Sequence, residues 1–101
     1  MKSYSKYEMK HGAILIAVED YTNDEAFGQM MKELTQIIEP DDWGYSVDSM
    51  CIGGYFRKDG ILIRTSSECP YDCCAIFYEP SKMTEQEVRK TEEWIKQFLE
   101  K

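Results

Sequence analysis

With 101 residues, the chain has the length of one average domain and can bury roughly two-thirds of the surface it exposes when unfolded. Its 43% hydrophobic, 13% aromatic and 31% charged residues are ordinary globular proportions and exclude a collagen-like, disordered or low-complexity chain. Twelve basic against nineteen acidic residues leave a net charge of −7, which argues against sequence-independent binding of DNA or RNA, and the longest apolar run, Ala13 to Val18, is too short to span a bilayer.

The stretch from Met1 to His11 has neither the apolar segment nor the cleavage site of a signal peptide, so a cytoplasmic location with reduced thiols is expected. One domain is expected over 1–101, with 1–11 as an arm or an edge strand through Tyr4 to Met9. The apolar run from Ala13 to Val18, bounded by Gly12 and Glu19-Asp20, reads as a central strand. Thr22 and Glu25 have capping-box spacing, and Phe27, Met30, Met31, Leu34, Ile37 and Ile38 then recur at helical intervals until Pro40 stops the helix at Glu39.

Asp41 to Tyr45 reads as a loop, and about Ser46 to Phe56 as a strand, with Gly53-Gly54 marking a bend, a bulge or a close backbone approach. Lys58-Asp59-Gly60 is a tight hairpin turn, because Asp-Gly supplies the positive φ angles it needs. Ile61 to Thr65 returns as a strand, Ser66 to Asp72 is a loop, and Cys74 to Tyr78 is a further strand. Thr84 and Glu87 cap the last helix, with Met83 stapled to Val88. Its core stripe is Val88, Thr91, Ile95, Phe98 and Leu99, with Trp94 on the flank, and Glu85–Arg89 and Glu92–Lys96 pair on the wet face. The resulting β-α-β-β-β-α order predicts an α+β two-layer sandwich, with a roughly four-stranded, antiparallel or mixed sheet and both helices on one face.

Charge is polarised along the chain. Residues 19–48 hold nine acids, Glu19, Asp20, Asp24, Glu25, Glu33, Glu39, Asp41, Asp42 and Asp48, against Lys32 alone, a balance of −8. Large rings are interleaved with acids: Tyr21 after Asp20, Trp43 and Tyr45 after Asp41-Asp42, and Tyr71 between Glu68 and Asp72. Loop Trp and Tyr residues are typical interaction anchors, and carboxylates around them steer a basic partner into place. The blander reading is that Asp24 and Glu25 serve the helix dipole and that Trp43 tucks into the end of the core.

Four cysteines, Cys51, Cys69, Cys73 and Cys74, read chiefly as buried thiols. A zinc site from Cys51, Cys69 and Cys73, with His11 as a fourth ligand, is the weaker alternative, since structural zinc sites usually present two closely spaced ligand pairs. Cys73 and Cys74, as neighbours entering a strand, should face opposite sides. His11 could form a nucleophilic pair with a cysteine only by chance convergence, no phosphate-binding loop is present, and the adjacent carboxylates read as solvated charge. Arg57, Lys58 and Arg64, beside Tyr55 and Phe56, read as edge protection more readily than as an anion patch.

In kind, though through no family motif, the chain resembles immunity and inhibitor proteins, among them bacterial toxin-neutralising proteins and phage-encoded decoys of nucleic acid. It is short, acidic and single-domain, and no catalytic residue or cofactor is expected. That resemblance implies a non-enzymatic protein, monomer or homodimer, that covers a basic partner such as a toxin nuclease without touching nucleic acid or membrane. The expected contact residues are Asp20, Tyr21, Asp24, Glu39, Asp41, Asp42, Trp43, Tyr45, Asp48, Glu68, Tyr71 and Asp72. The alternative is a regulatory domain that senses metal or ligand through its cysteines.

Overall fold

The computed structural model describes residues 1–47, 51–68 and 73–101, with only the backbone given for Glu68. The elements are β1 (Tyr4–Glu8), β2 (Ile14–Val18), α1 (Asp24–Ile38), β3 (Asp42–Val47), β4 (Cys51–Lys58), β5 (Ile61–Glu68), β6 (Cys74–Tyr78) and α2 (Glu85–Leu99). All six strands join one sheet in the order β1-β2-β6-β5-β4-β3, and every neighbouring pair is antiparallel. The α+β class and the two helices agree with the sequence, but the sheet has six strands where about four were expected. The N-terminal arm supplies one extra strand. The other, β3, arises from the stretch read as the Asp41–Tyr45 loop, so the single strand expected over 46–56 is really the end of one strand and most of the next. Asp and Gly are poor strand formers in isolation, and they masked the period-two alternation of Trp43, Tyr45 and Val47.

Alternation also decides which face carries the core. Ile14, Ile16 and Val18 of β2, Ile52 and Phe56 of β4, Ile61 and Ile63 of β5, and Cys74, Ile76 and Tyr78 of β6 point to the helix layer. They meet Phe27, Met30, Met31, Leu34 and Ile38 of α1 and Ile95, Phe98 and Leu99 of α2. Burying each of the large side chains contributes about 1.5–3 kcal/mol. Among the described residues the opposite face of the sheet carries no helix, and Leu15, Ala17, Leu62 and Phe77 are only partly covered there.

The helix ends match the sequence in part. α2 begins with the expected capping box, the Glu87 amide donating to Thr84 Oγ1 at 3.2 Å and the Thr84 amide to Glu87 Oε1 at 2.9 Å. α1 starts one residue later than its expected box: the cap is Asn23, whose Oδ1 accepts from the Ala26 amide at 2.8 Å. Asn is at least as good a cap as Thr, so Thr22 and Glu25 are passed over. The helix ends at Glu39, in the left-handed region at φ 50° and ψ 60°, just before Pro40. On α2 the expected Glu92–Lys96 pair gives way to a 3.0 Å hydrogen bond donated by the Tyr78 hydroxyl to Glu92, while Arg89 lies 4.0 Å from Glu85.

The Asp59-Gly60 turn has the positive φ values expected, 53° and 81°. Gly53-Gly54 is no bulge, because β4 pairs without interruption on both sides. Gly54 is instead a close approach: a Cβ there would lie 2.6 Å from Thr65 Oγ1, 2.8 Å from Met31 Cε and 3.1 Å from Tyr45 Cβ. Lys2 was not singled out in the sequence, yet it ties the N-terminus to the end of α2. Its Nζ donates to the carbonyls of Phe98 (3.0 Å) and Lys101 (3.2 Å) and sits 4.6 Å from the centre of the Phe98 ring, while its amide donates to Leu99. A cation there satisfies orphan carbonyls at the negative helix end. Among the described residues no helix is long and apolar enough to cross a membrane.

Candidate functional site

Five of the twelve expected contact residues come together along one edge of the molecule. α1 ends at Ile38, the chain turns through Glu39, Pro40 and Asp41, and β3 then runs out as the terminal strand of the sheet. Trp43, Tyr45 and Val47 occupy alternate positions of β3 and face the helix layer, opposite Phe56, Gly54 and Ile52 of β4. They remain 43%, 50% and 67% exposed, because among the described residues no strand or helix lies beyond β3.

Each ring is seated on the core below it. Trp43 stacks on Phe56, with ring centres 6.2 Å apart and planes 18° from parallel. Tyr45 meets Phe27 edge-on at 5.5 Å, and its hydroxyl reaches α1 beside Gly28. That position is one helical turn from Asp24, on the same helix face. Gly54 lets Tyr45 lie this close to the sheet. The rings are therefore held in place with an outer face left to solvent, a low-entropy way to present apolar area.

Around the rings, Asp42 accepts a 3.1 Å hydrogen bond from the Tyr55 hydroxyl, which raises the Tyr55 pKa, chiefly through that bond. Asp41 accepts from the Asp59 amide at 3.1 Å and lies 3.8 Å from Lys58 Nζ. Glu39 is exposed at the C-cap of α1, and the last turn of that helix contains no basic residue. Glu39 alone thus sits at the negative end of the α1 dipole, where cations are normally favoured. Asp41 is met by Lys58, and Asp42, on the face of β3 opposite to Trp43, lies in register with Arg57.

Other expected contact residues are placed elsewhere. Tyr21 is no surface anchor: it is 8% exposed, stacks near Phe98 and donates its hydroxyl to Glu33. Burial, followed by that carboxylate, raises its pKa. Asp20 accepts from the Ser3 amide at 3.1 Å at the far side of the sheet, where it fastens the start of β1. Asp24 is exposed in the first turn of α1, where a carboxylate also serves the dipole. Asp48, Tyr71 and Asp72 lie outside the described residues, as does Cys69, and Glu68 is placed only as the last residue of β5. Val47 was missed, since its signal is the alternation with Trp43 and Tyr45 that the loop reading concealed.

Cys74 is fully buried beneath the helices, and burial above all pushes its thiol pKa up, so it is a packed apolar group rather than a nucleophile. Cys73 faces the other side, as expected, where it helps line a groove of about 560 Å³ with Tyr7, Met9, Leu15, Ala17, Ser66 and Ala75. Cys51 is exposed at the same end of the sheet, on β4. His11 lies in the β1–β2 turn, at the end of β2 opposite Val18, which pairs with Cys74. The length of β2, roughly 17 Å, separates it from these cysteines and removes it from any shared ligand or nucleophilic set. Among the described residues no three His, Cys, Asp or Glu side chains are grouped to hold a metal ion. The basic cluster is split by strand alternation: Lys58 turns to Asp41, whereas Arg57 lies over the Tyr55 ring at 5.7 Å. Comparison with family models, curated proteins and solved structures finds no match to this chain.

Proposed function

We propose that this chain is a small acidic binding protein of the immunity or inhibitor kind, without catalytic activity, that occludes a basic macromolecular partner such as a toxin nuclease. The observation that carries the reading is the segment from the end of α1 into β3: Glu39 at a helix C-terminus without a basic residue in its last turn, then Asp41 and Asp42, leading directly into the exposed rings of Trp43 and Tyr45. A carboxylate at the negative end of a helix dipole, as Glu39 is, is disfavoured in the free protein and relieved by a cation brought from outside. The carboxylates attract and cover the partner's lysines or arginines, and the two rings supply the desolvated anchors.

The test is capture from native lysate on immobilised protein at low and at about physiological salt, with Asp41→Lys/Asp42→Lys as control, followed by assay of the captured protein's own activity. The reading expects a basic protein that the native form retains and inhibits and that the doubly substituted form releases, with little change in thermal stability. Equal retention by both forms refutes this surface. A second reading, metal sensing by Cys51, Cys69 and Cys73, is supported only by Cys51 and Cys73 sharing one end of the sheet. It requires stoichiometric zinc in protein purified without added metal.

A further inference from the structure

The two edges of the sheet are protected unequally. β1 carries Lys6 at its centre, on the face that looks toward the helices, and Glu8 at its end, and an inward charge of this sort discourages strand pairing. β3 has no such device. Its sequence, Asp-Trp-Gly-Tyr-Ser-Val, contains neither Lys nor Pro, and its six residues pair with β4 without a bulge. Among the described residues nothing hydrogen-bonds to the outer backbone edge of β3. A long, regular, apolar edge of this kind is a template for another strand.

We propose that β3 accepts, by strand addition, an extended segment of the basic partner. This rests on the reading of the acidic surface given above and specifies how that surface is used. The partner's backbone pairs with the free edge of β3, its alternate apolar residues seat beside Trp43, Tyr45 and Val47, and its lysines or arginines at one end fall against Glu39, Asp41 and Asp42. Charge selects this occupant over a second copy of the chain. A copy would bring its own −7 and a second set of the same acids to the junction, whereas a basic strand neutralises them.

The probe is a synthetic peptide of roughly eight residues, alternating valine and threonine with lysines at both ends, long enough to run the length of β3. Two further versions carry N-methyl groups on one or the other alternate set of backbone amides, leaving charge and side chains unchanged. Calorimetry gives affinity, and hydrogen exchange locates the bound peptide. The proposal expects protection of the amides of β3, and methylation of one set but not the other to weaken binding about tenfold or more. It also expects Val47→Glu to weaken binding although it adds an acid, because the apolar stripe is broken.

Equal binding of all three peptides, or tighter binding by Val47→Glu, overturns strand addition and leaves an acidic surface that acts by charge alone. Lack of peptide binding overturns it as well, and the capture experiment then decides separately whether the acidic surface has a partner. A dimer of the free protein that Val47→Glu dissolves assigns the edge to a second copy and likewise overturns the proposal.

Discussion

Substituting Gly54 by alanine tests the packing on which the exposed rings depend. The added methyl would lie 2.6 Å from Thr65 Oγ1, 2.8 Å from Met31 Cε and 3.1 Å from Tyr45 Cβ. Met31 Cε is the end of a flexible side chain and can withdraw, but Thr65 is branched at Cβ and donates its hydroxyl to Met31 Sδ at 3.1 Å. Tyr45 Cβ moves only if β3 moves. Overpacking of this kind costs about 2 kcal/mol, which for a domain of this size lowers Tm by roughly 8–16 °C. Gly53→Ala is the matched control, since nothing lies within 4 Å of a Cβ at that position. It should leave Tm unchanged or raise it slightly. Thermal and urea unfolding, followed by circular dichroism and tryptophan fluorescence, measure both. If the two alanine variants melt together, the close approach of Tyr45 to β4 is wrong, and with it the seating of the candidate anchor.

Lys2→Met should destabilise the protein by about 1–2 kcal/mol, because carbonyls at the end of α2 lose a charged donor, and hydrogen exchange over residues 96–101 should quicken; unchanged exchange refutes the tether. Tyr21 and Tyr78 both have pKa values raised by burial first and by their Glu33 and Glu92 partners second. A raised pKa means that the unfolded chain loses the proton first, so the stabilisation is whole below about pH 10 and falls above it by roughly 1.4 kcal/mol per pH unit for each tyrosine. Urea unfolding of native protein and of Tyr21→Phe/Tyr78→Phe between pH 8 and about 11 checks this, and equal slopes would exclude both tyrosines as its source. With one cysteine retained at a time, Cys51 should react with a thiol reagent in the folded protein and Cys74 only on unfolding, as burial and a raised pKa require; rapid labelling of Cys74 would contradict its place in the core.

Local rules made much of the chain legible. Helical spacing in 24–38 and 85–99, the Thr84–Glu87 box, the Pro40 stop and the Asp-Gly turn each depend on residues a few positions apart, so α1, α2 and the β4–β5 hairpin can be read from sequence alone. So can the opposed facing of Cys73 and Cys74, and the gathering of acid in residues 19–48. The tertiary structure decided what depends on distant partners. β3 counts as a strand because β4 pairs with it, and it is an edge because β6 turns back to β2 rather than past β3. Tyr21 became core and Trp43 surface although both are rings following acids, since only Tyr21 has a helix carboxylate and Phe98 waiting to cover it. Composition and periodicity specify which residues seek burial, but which of them finds a partner is a property of the sheet order, set by pairings across tens of residues.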